Sequence, residues 1–107
     1  MALIAMCMPI LPGKKEMWQG MMDQVKQDPN FAASREEAGV HERTYLQETP
    51  NGDFIILTFE GDDPEAGFAK IMGNMPPEFA DFAKEVHGLD ASAPPPPIPS
   101  LVFDSRG

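Results

Sequence analysis

Four polar side chains alternate along one segment of the chain, in a pattern that could form a small active site. They are His41, Arg43, Tyr45 and Gln47, and residues two apart on a β-strand point to the same face. A histidine there could act as a general base, and a tyrosine could donate a hydrogen bond to a developing oxyanion. His41 and Tyr45 are therefore the predicted catalytic residues, and Arg43 and Gln47 are predicted to bind substrate.

The same row has a second interpretation, as a polar stripe between two copies of the chain. The next predicted strand, 53–60, would bring Thr58 and Glu60 beside the row, with Arg43 directly opposite Glu60. An Arg43–Glu60 pair with Tyr45 packed flat would make the row structural. Under the first interpretation Thr58 joins the predicted substrate-binding residues, and both interpretations stay open.

A methionine-rich segment near the start could line an apolar pocket. In the predicted helix 14–27, Met17, Met21 and Val25 are spaced i, i+4, i+8 and form one apolar stripe. Trp18 and Met22 lie beside this stripe. Methionine packs around irregular shapes, so Trp18 is a further predicted substrate-binding residue. A stripe at helical spacing also suits a plain hydrophobic core, which is the alternative.

Sequence motifs for metal binding, phosphate binding and serine-nucleophile catalysis do not occur in the chain. Cys7 has no second metal ligand near it in the sequence, and no glycine-rich phosphate loop or serine-nucleophile motif occurs. No metal and no cofactor is therefore predicted. Cys7 is interpreted as a small buried strand residue, and His87 as a helix-end residue favoured by the helix dipole.

Charge and cysteine content bear on partners and compartment. The net charge of −9 repels phosphate backbones and anionic lipid, so neither a nucleic acid nor a membrane is a predicted partner. The single cysteine excludes an internal disulfide and favours a reducing, cytoplasmic location. The apolar start has no basic residue before its apolar run, so it is interpreted as a strand, not a signal peptide.

The 107 residues fit one α+β domain, predicted at 1–93, with a proline-rich arm at 94–107. The predicted elements follow this order: strand 2–8, helix 14–27, helical turn 31–38, strands 40–48 and 53–60, a helix from Asp63-Pro64, a helix from Pro76-Pro77 to Gly88, and strand 101–103. Asn51-Gly52 predicts a two-residue hairpin turn. That turn places Leu46 opposite Leu57 and Thr44 opposite Phe59.

Both faces of the predicted sheet carry apolar residues, although helices can cover only one of them. Ile55, Leu57 and Phe59 alternate with Phe54 and Ile56. A contiguous exposed apolar face is rare on monomers. A second copy of the chain is the expected cover, and the proline-rich tail folding back over the sheet is the alternative.

The strand–helix–strand–strand–helix–strand order is the ferredoxin-like βαββαβ pattern. With the run from Gly39 to Asp53 and the later Phe59-Glu60-Gly61-Asp62-Asp63-Pro64, the chain resembles an uncharacterised bacterial group in the dimeric α/β-barrel superfamily, which includes antibiotic-biosynthesis-type monooxygenases. The resemblance covers about residues 2 to 104. It implies a homodimer with antiparallel sheets packed face to face, and a cleft between sheet and helices in each protomer.

Three function classes follow. The first is binding or conversion of a small apolar or aromatic molecule, with a cofactor-free monooxygenase implied by the resemblance. The second is a non-enzymatic structural or interaction dimer. The third is a small-molecule isomerase or lyase using His41 or Tyr45.

Overall fold

The computed structural model describes residues 2–90 and 98–106, and it confirms an α+β fold with an antiparallel sheet. In chain order, the elements are β1 (Ala2–Ile10), α1 (Lys15–Gln27), α2 (Pro29–Glu37), β2 (Val40–Thr49), β3 (Gly52–Gly61), α3 (Pro64–Gly73) and α4 (Pro77–His87). The strands lie in the order β1-β3-β2, so β3 is central. None of the helices within residues 2–90 and 98–106 is long and apolar enough to cross a bilayer.

Helix ends follow the local signals in the sequence. The Asp63 carboxylate accepts a hydrogen bond from the backbone N–H of Ala66 at 3.2 Å, and Pro64 begins α3. Gly88 ends α4 in the left-handed conformation, with φ of 72°. Asp28 caps α2 in the same way as Asp63 caps α3. In place of the helical turn predicted at 31–38, α2 is a helix of nine residues that begins two residues earlier, at Pro29.

The predicted hairpin register is wrong by two residues. Leu46 lies opposite Ile55, and Arg43 lies opposite Thr58. The turn is centred on Pro50 and Asn51, one residue earlier than predicted. This placement removes Pro50 from the ladder position opposite Asp53, where its missing N–H could not donate a hydrogen bond. A two-residue slip keeps every side chain on its predicted face, since strands alternate with period two.

One sheet face packs against the helices and carries the core. Two clusters of buried side chains lie there: Ile10, Trp18, Ile55 and Val86 in one, and Met6, Val40 and Phe59 in the other. Helix α1 is turned relative to the predicted stripe. Trp18 is 6% exposed, whereas Met17 is 44% exposed. Trp18 thus joins the core, whereas Met17 of the predicted stripe does not.

The opposite sheet face, here called the outer face, is open in the single chain. Alternation and register give it twelve side chains: Leu3, Ala5, Cys7 and Pro9 on β1, Phe54, Ile56, Thr58 and Glu60 on β3, and His41, Arg43, Tyr45 and Gln47 on β2. Leu3 and Tyr45 are each 53% exposed. Cys7 is also exposed, so its interpretation as a buried residue is wrong for the isolated chain.

The predicted fourth strand is absent from the described part of the tail. Residues 101–103 have no strand structure, and Leu101, Val102 and Phe103 are 80%, 93% and 80% exposed. Three residues can form few ladder hydrogen bonds, and these three side chains cover no sheet face in the single chain. Of the proline-rich arm predicted at 94–107, residues 94–97 and 107 lie outside the described residues. The order β1-α1-α2-β2-β3-α3-α4 therefore matches the ferredoxin-like pattern only in part.

Candidate functional site

The predicted polar row lies on the outer face, along strand β2. His41, Arg43, Tyr45 and Gln47 are all exposed. Their partners on β3 are Glu60, Thr58, Ile56 and Phe54. The Arg43 Nη1 atom is 3.3 Å from Glu60 Oε1. The predicted pair therefore forms, diagonally across the ladder instead of directly opposite.

This row is part of an open surface. The charge of the Arg43 guanidinium is already offset by Glu60, which weakens its attraction for a substrate carboxylate. The Thr58 hydroxyl is buried among its neighbours and has no hydrogen-bond partner among the described residues. These contacts suit a contact surface better than an enclosed reaction site.

Trp18 lies away from most of the row, in a groove between α1, α2 and β2. The groove has a volume of about 1000 Å³ and is lined by Trp18, Met22, Phe31, Val40 and, at the strand edge, His41. Of the predicted site residues, only Trp18 and His41 line this groove. The indole Nε1 is buried and unpaired within the described part of the chain.

A second space, here called the inner cleft, lies between the helix-facing side of the sheet and helices α3 and α4. Its volume is about 740 Å³. Its lining is mainly apolar and rich in methionine and aromatic groups, including Met6, Met8, Phe59, Phe68, Met72 and Met75. It contains none of the residues predicted as a site.

Arg35 and Glu42 form an ion pair on the wall of the inner cleft. The Arg35 Nε donates to Glu42 Oε1 at 2.8 Å, and Nη1 donates to the Ser34 hydroxyl at 3.0 Å. The guanidinium carbon also lies 3.9 Å from the centre of the Phe31 ring. The two side chains are only 20% and 12% exposed. The Arg35–Glu42 pair therefore gives this wall of the cleft polar groups whose opposite charges cancel.

His87 also lines the inner cleft. It is 7% exposed, and its Nδ1 lies 2.7 Å from the carbonyl oxygen of Pro9. The ring meets Phe82 edge-on at 6.1 Å between centroids. Burial lowers the pKa of His87, and the hydrogen bond to the Pro9 carbonyl opposes that shift in part. The ring is therefore held in a buried position that favours its neutral form.

The sequence contained a signal for His87 that the helix-dipole interpretation missed. His87 does lie at the end of α4. It also follows Ala83 by four residues, which places both on the same helix face, and both line the inner cleft. Its neighbour Val86 is fully buried. Helical spacing would thus have placed this imidazole toward the core.

Comparisons with known proteins add no assignment to this geometry. No protein-family model matches the chain, and no curated protein is found to be similar to it. Within residues 2–90 and 98–106, no three His, Cys, Asp or Glu side chains are grouped so that they could hold a metal ion.

Proposed function

We propose that the protein binds a small, largely apolar molecule in the inner cleft. The observation that carries this proposal is the cleft itself, about 740 Å³ lined by methionine, phenylalanine and aliphatic side chains with a few polar groups. Ligand pockets typically measure about 300–1,000 Å³ and combine apolar walls with a small number of polar groups. The inner cleft has both properties.

The lining also favours an uncharged ligand of adaptable shape. Met6, Met8, Met72 and Met75 surround the space, and methionine repacks readily around different shapes. Arg35 is already neutralised by Glu42, and the chain carries a net charge of −9. Both features disfavour an anion in the cleft.

The resemblance to the dimeric α/β-barrel superfamily agrees with this location, because it implies a cleft between sheet and helices. A cofactor-free monooxygenase, an isomerase or a lyase would each act on a molecule held there. In this proposal the inner cleft takes the place of the row that includes His41 and Tyr45.

The test is a titration with prodan, an uncharged naphthalene dye whose emission shifts to the blue in apolar surroundings. Ala83 lines the cleft, so Ala83→Phe should fill part of it and abolish the shift. Ala33 is exposed on α2, so Ala33→Phe adds the same ring elsewhere and should preserve the shift. Circular dichroism shows whether each variant is folded.

A saturable shift in the wild type that Ala83→Phe removes and Ala33→Phe keeps is the expected result. Absence of a saturable shift in the wild type would refute binding in the cleft. Equal binding by a folded Ala83→Phe variant would place the dye elsewhere and also count against the proposal.

The outer face supports a second candidate function, self-association of two copies through their sheets. Leu3, Cys7 and Tyr45 are exposed there beside Ile56 and Phe54. The Arg43–Glu60 pair neutralises two of the charges on this face, so the pair itself adds no net charge that would repel a second copy. Under this candidate the polar row is an interface, as its second interpretation expected.

The described tail residues are suited to enlarge such an interface. The outer face has four side chains on each of three strands, which corresponds to about 14 Å by 27 Å, or roughly 400 Å². Stable complexes bury about 800 Å² per partner. The exposed side chains of Leu101, Val102 and Phe103 offer additional apolar area.

Light scattering on a sizing column tests this candidate. We expect a dimer for the full chain and a weaker dimer for a chain that ends at Ala93. A monomeric full chain at high concentration would exclude the candidate while leaving the inner-cleft proposal intact.

A further inference from the structure

The imidazole of His87 has one ring nitrogen committed to the fold and one that is available in the inner cleft. Its Nδ1 lies 2.7 Å from the Pro9 carbonyl oxygen. A carbonyl oxygen can only accept, so the Nδ1 must carry the proton. In the neutral ring, Nε2 is then an unprotonated acceptor.

The Nε2 atom has no hydrogen-bond partner among the described residues. The fully buried side-chain atoms that are unpaired in that part of the chain are Trp18 Nε1 and Thr58 Oγ1, and His87 Nε2 is not one of them. His87 lines the inner cleft. Since Nδ1 is committed to the Pro9 carbonyl, Nε2 is the ring nitrogen left for a ligand in that space.

We propose that His87 Nε2 is the hydrogen-bond acceptor for a hydroxyl group on the ligand, so that the cleft selects an uncharged apolar molecule bearing an O–H, such as a phenol, an enol or an alcohol. This inference rests on the proposed binding function of the inner cleft. The lining offers methionine and phenylalanine walls for the carbon skeleton and this acceptor for the hydroxyl. A hydrogen bond made away from water contributes more to discrimination than one at the surface.

A carboxylate fits the same space poorly. It has no proton to donate to Nε2, the charge of Arg35 is already offset by Glu42 at 2.8 Å, and Asp90 adds a further carboxylate to the lining. A hydrocarbon without a hydroxyl would bury its surface equally well but would leave Nε2 unpaired. The site thus predicts an order of affinity: hydroxylated, then unsubstituted, then carboxylated.

The experiment is displacement of bound prodan by three matched compounds, namely 1-naphthol, naphthalene and 1-naphthoate. In the wild type we expect 1-naphthol to bind about three- to tenfold more tightly than naphthalene, as one net hydrogen bond allows. The variant His87→Asn keeps a donor for the Pro9 carbonyl and removes Nε2. Its amide oxygen is bonded directly to Cγ and does not reach the Nε2 position, so the ratio should fall to about one. The control His41→Asn changes the other histidine, which is exposed, and should keep the wild-type ratio.

A measurement on the wild type covers the case in which His87→Asn fails to fold. With ¹⁵N-labelled histidine, NMR should report an Nδ1–H tautomer for His87, and its Nε2 resonance should move on addition of 1-naphthol but not of naphthalene. A ratio unchanged in folded His87→Asn, an unmoved Nε2 resonance, or a proton on Nε2 in place of Nδ1 would each overturn the inference. Prodan binding that Ala83→Phe abolishes would still stand in those cases, whereas absence of any prodan binding would overturn the proposed function and this inference together.

Discussion

The Nδ1 of His87 lies 2.7 Å from the carbonyl oxygen of Pro9, although the two residues are 78 positions apart in the chain. This hydrogen bond joins the end of α4 to the end of β1. The backbone N–H of Leu11 donates to the Val86 carbonyl at 2.7 Å beside it. Two hydrogen bonds therefore fix the C-terminal end of α4 against the first strand.

The buried imidazole should make stability depend on pH in a defined direction. Burial lowers the pKa of His87 from its usual 6.5, so below pH 6.5 the unfolded chain binds a proton that the folded chain resists. Stability is then complete above about pH 6.5 and falls as the pH drops toward the folded pKa, with a slope of at most about 1.4 kcal/mol per pH unit. Urea denaturation at intervals between pH 5 and 8 measures this slope.

His87→Asn should remove that part of the slope, because no imidazole remains at the site. His41→Asn serves as the control, since it removes an exposed imidazole. The other ionisable side chains lining the inner cleft are Arg35, Glu42 and Asp90, and both variants retain them. A slope that persists in His87→Asn would assign the pH dependence to those groups instead.

Much of the fold could be predicted from local sequence signals. Asp63-Pro64 and Gly88 bound helices because capping and left-handed conformations depend on residue type at one position. The alternation of side chains also predicts correctly which residues of β2 and β3 share a face, because its period is fixed at two. The pairing register could not be predicted in this way, since it depends on whether Pro50 or Asn51 takes the first central position of the turn.

The site was harder to predict because it forms between distant segments. The inner cleft combines residues of β1, β3, α3 and α4, and no spacing within one segment reveals such a combination. The row from His41 to Gln47 was visible because it lies on a single strand. The position of His87 at a helix end predicts an interaction with the helix dipole, whereas its side chain is buried, as is that of the neighbouring Val86.

Two helical glycines should respond oppositely to substitution by alanine. A Cβ atom on Gly67 would lie 2.5 Å from Val40 Cγ1 and 2.8 Å from the Ala38 carbonyl oxygen, whereas a Cβ on Gly20 would meet no atom within 4 Å. Gly67→Ala should therefore lower the free energy of unfolding by about 1–3 kcal/mol through overpacking. Gly20→Ala should raise it by about 0.5–1 kcal/mol through helix propensity.

Urea denaturation of both variants against the wild type checks this pair. Gly20→Ala also controls for the general effect of adding a methyl group to a helix. A neutral or stabilising Gly67→Ala would mean that α3 can move away from the residues that precede and begin β2.

The two arginine–glutamate pairs should differ in coupling energy. Arg35–Glu42 joins α2 to β2 at 2.8 Å with both side chains mostly buried, and Arg43–Glu60 is 3.3 Å long with side chains 42% and 34% exposed. Screening by water leaves exposed pairs with about 0–1 kcal/mol. We expect about 1–3 kcal/mol of coupling for the less exposed pair.

A double-mutant cycle measures each coupling energy from the free energies of unfolding. The substitutions are Arg35→Met with Glu42→Gln, and Arg43→Met with Glu60→Gln as the matched exposed pair. Equal couplings in the two cycles would show that water reaches the wall of the inner cleft and screens the Arg35–Glu42 pair.

Cys7 reports directly on whether a second copy covers the outer face. Its thiol is exposed in the single chain, and it lies on the edge strand β1, opposite Ile56 of the central strand β3. If two outer faces pack together, labelling of the thiol by Ellman's reagent should slow as the protein concentration rises. Labelling in denaturant gives the rate for the uncovered thiol.

Phe54→Asp sharpens this test, because Phe54 shares the outer face with Cys7 but is paired with Pro9. A new carboxylate there would lose apolar area and would have to be desolvated on association. The variant should label at the fast rate at every concentration. Labelling of the wild type that is fast, independent of concentration and equal to that of Phe54→Asp would show that no second copy covers Cys7, and the exposed Leu3 and Tyr45 would then face solvent.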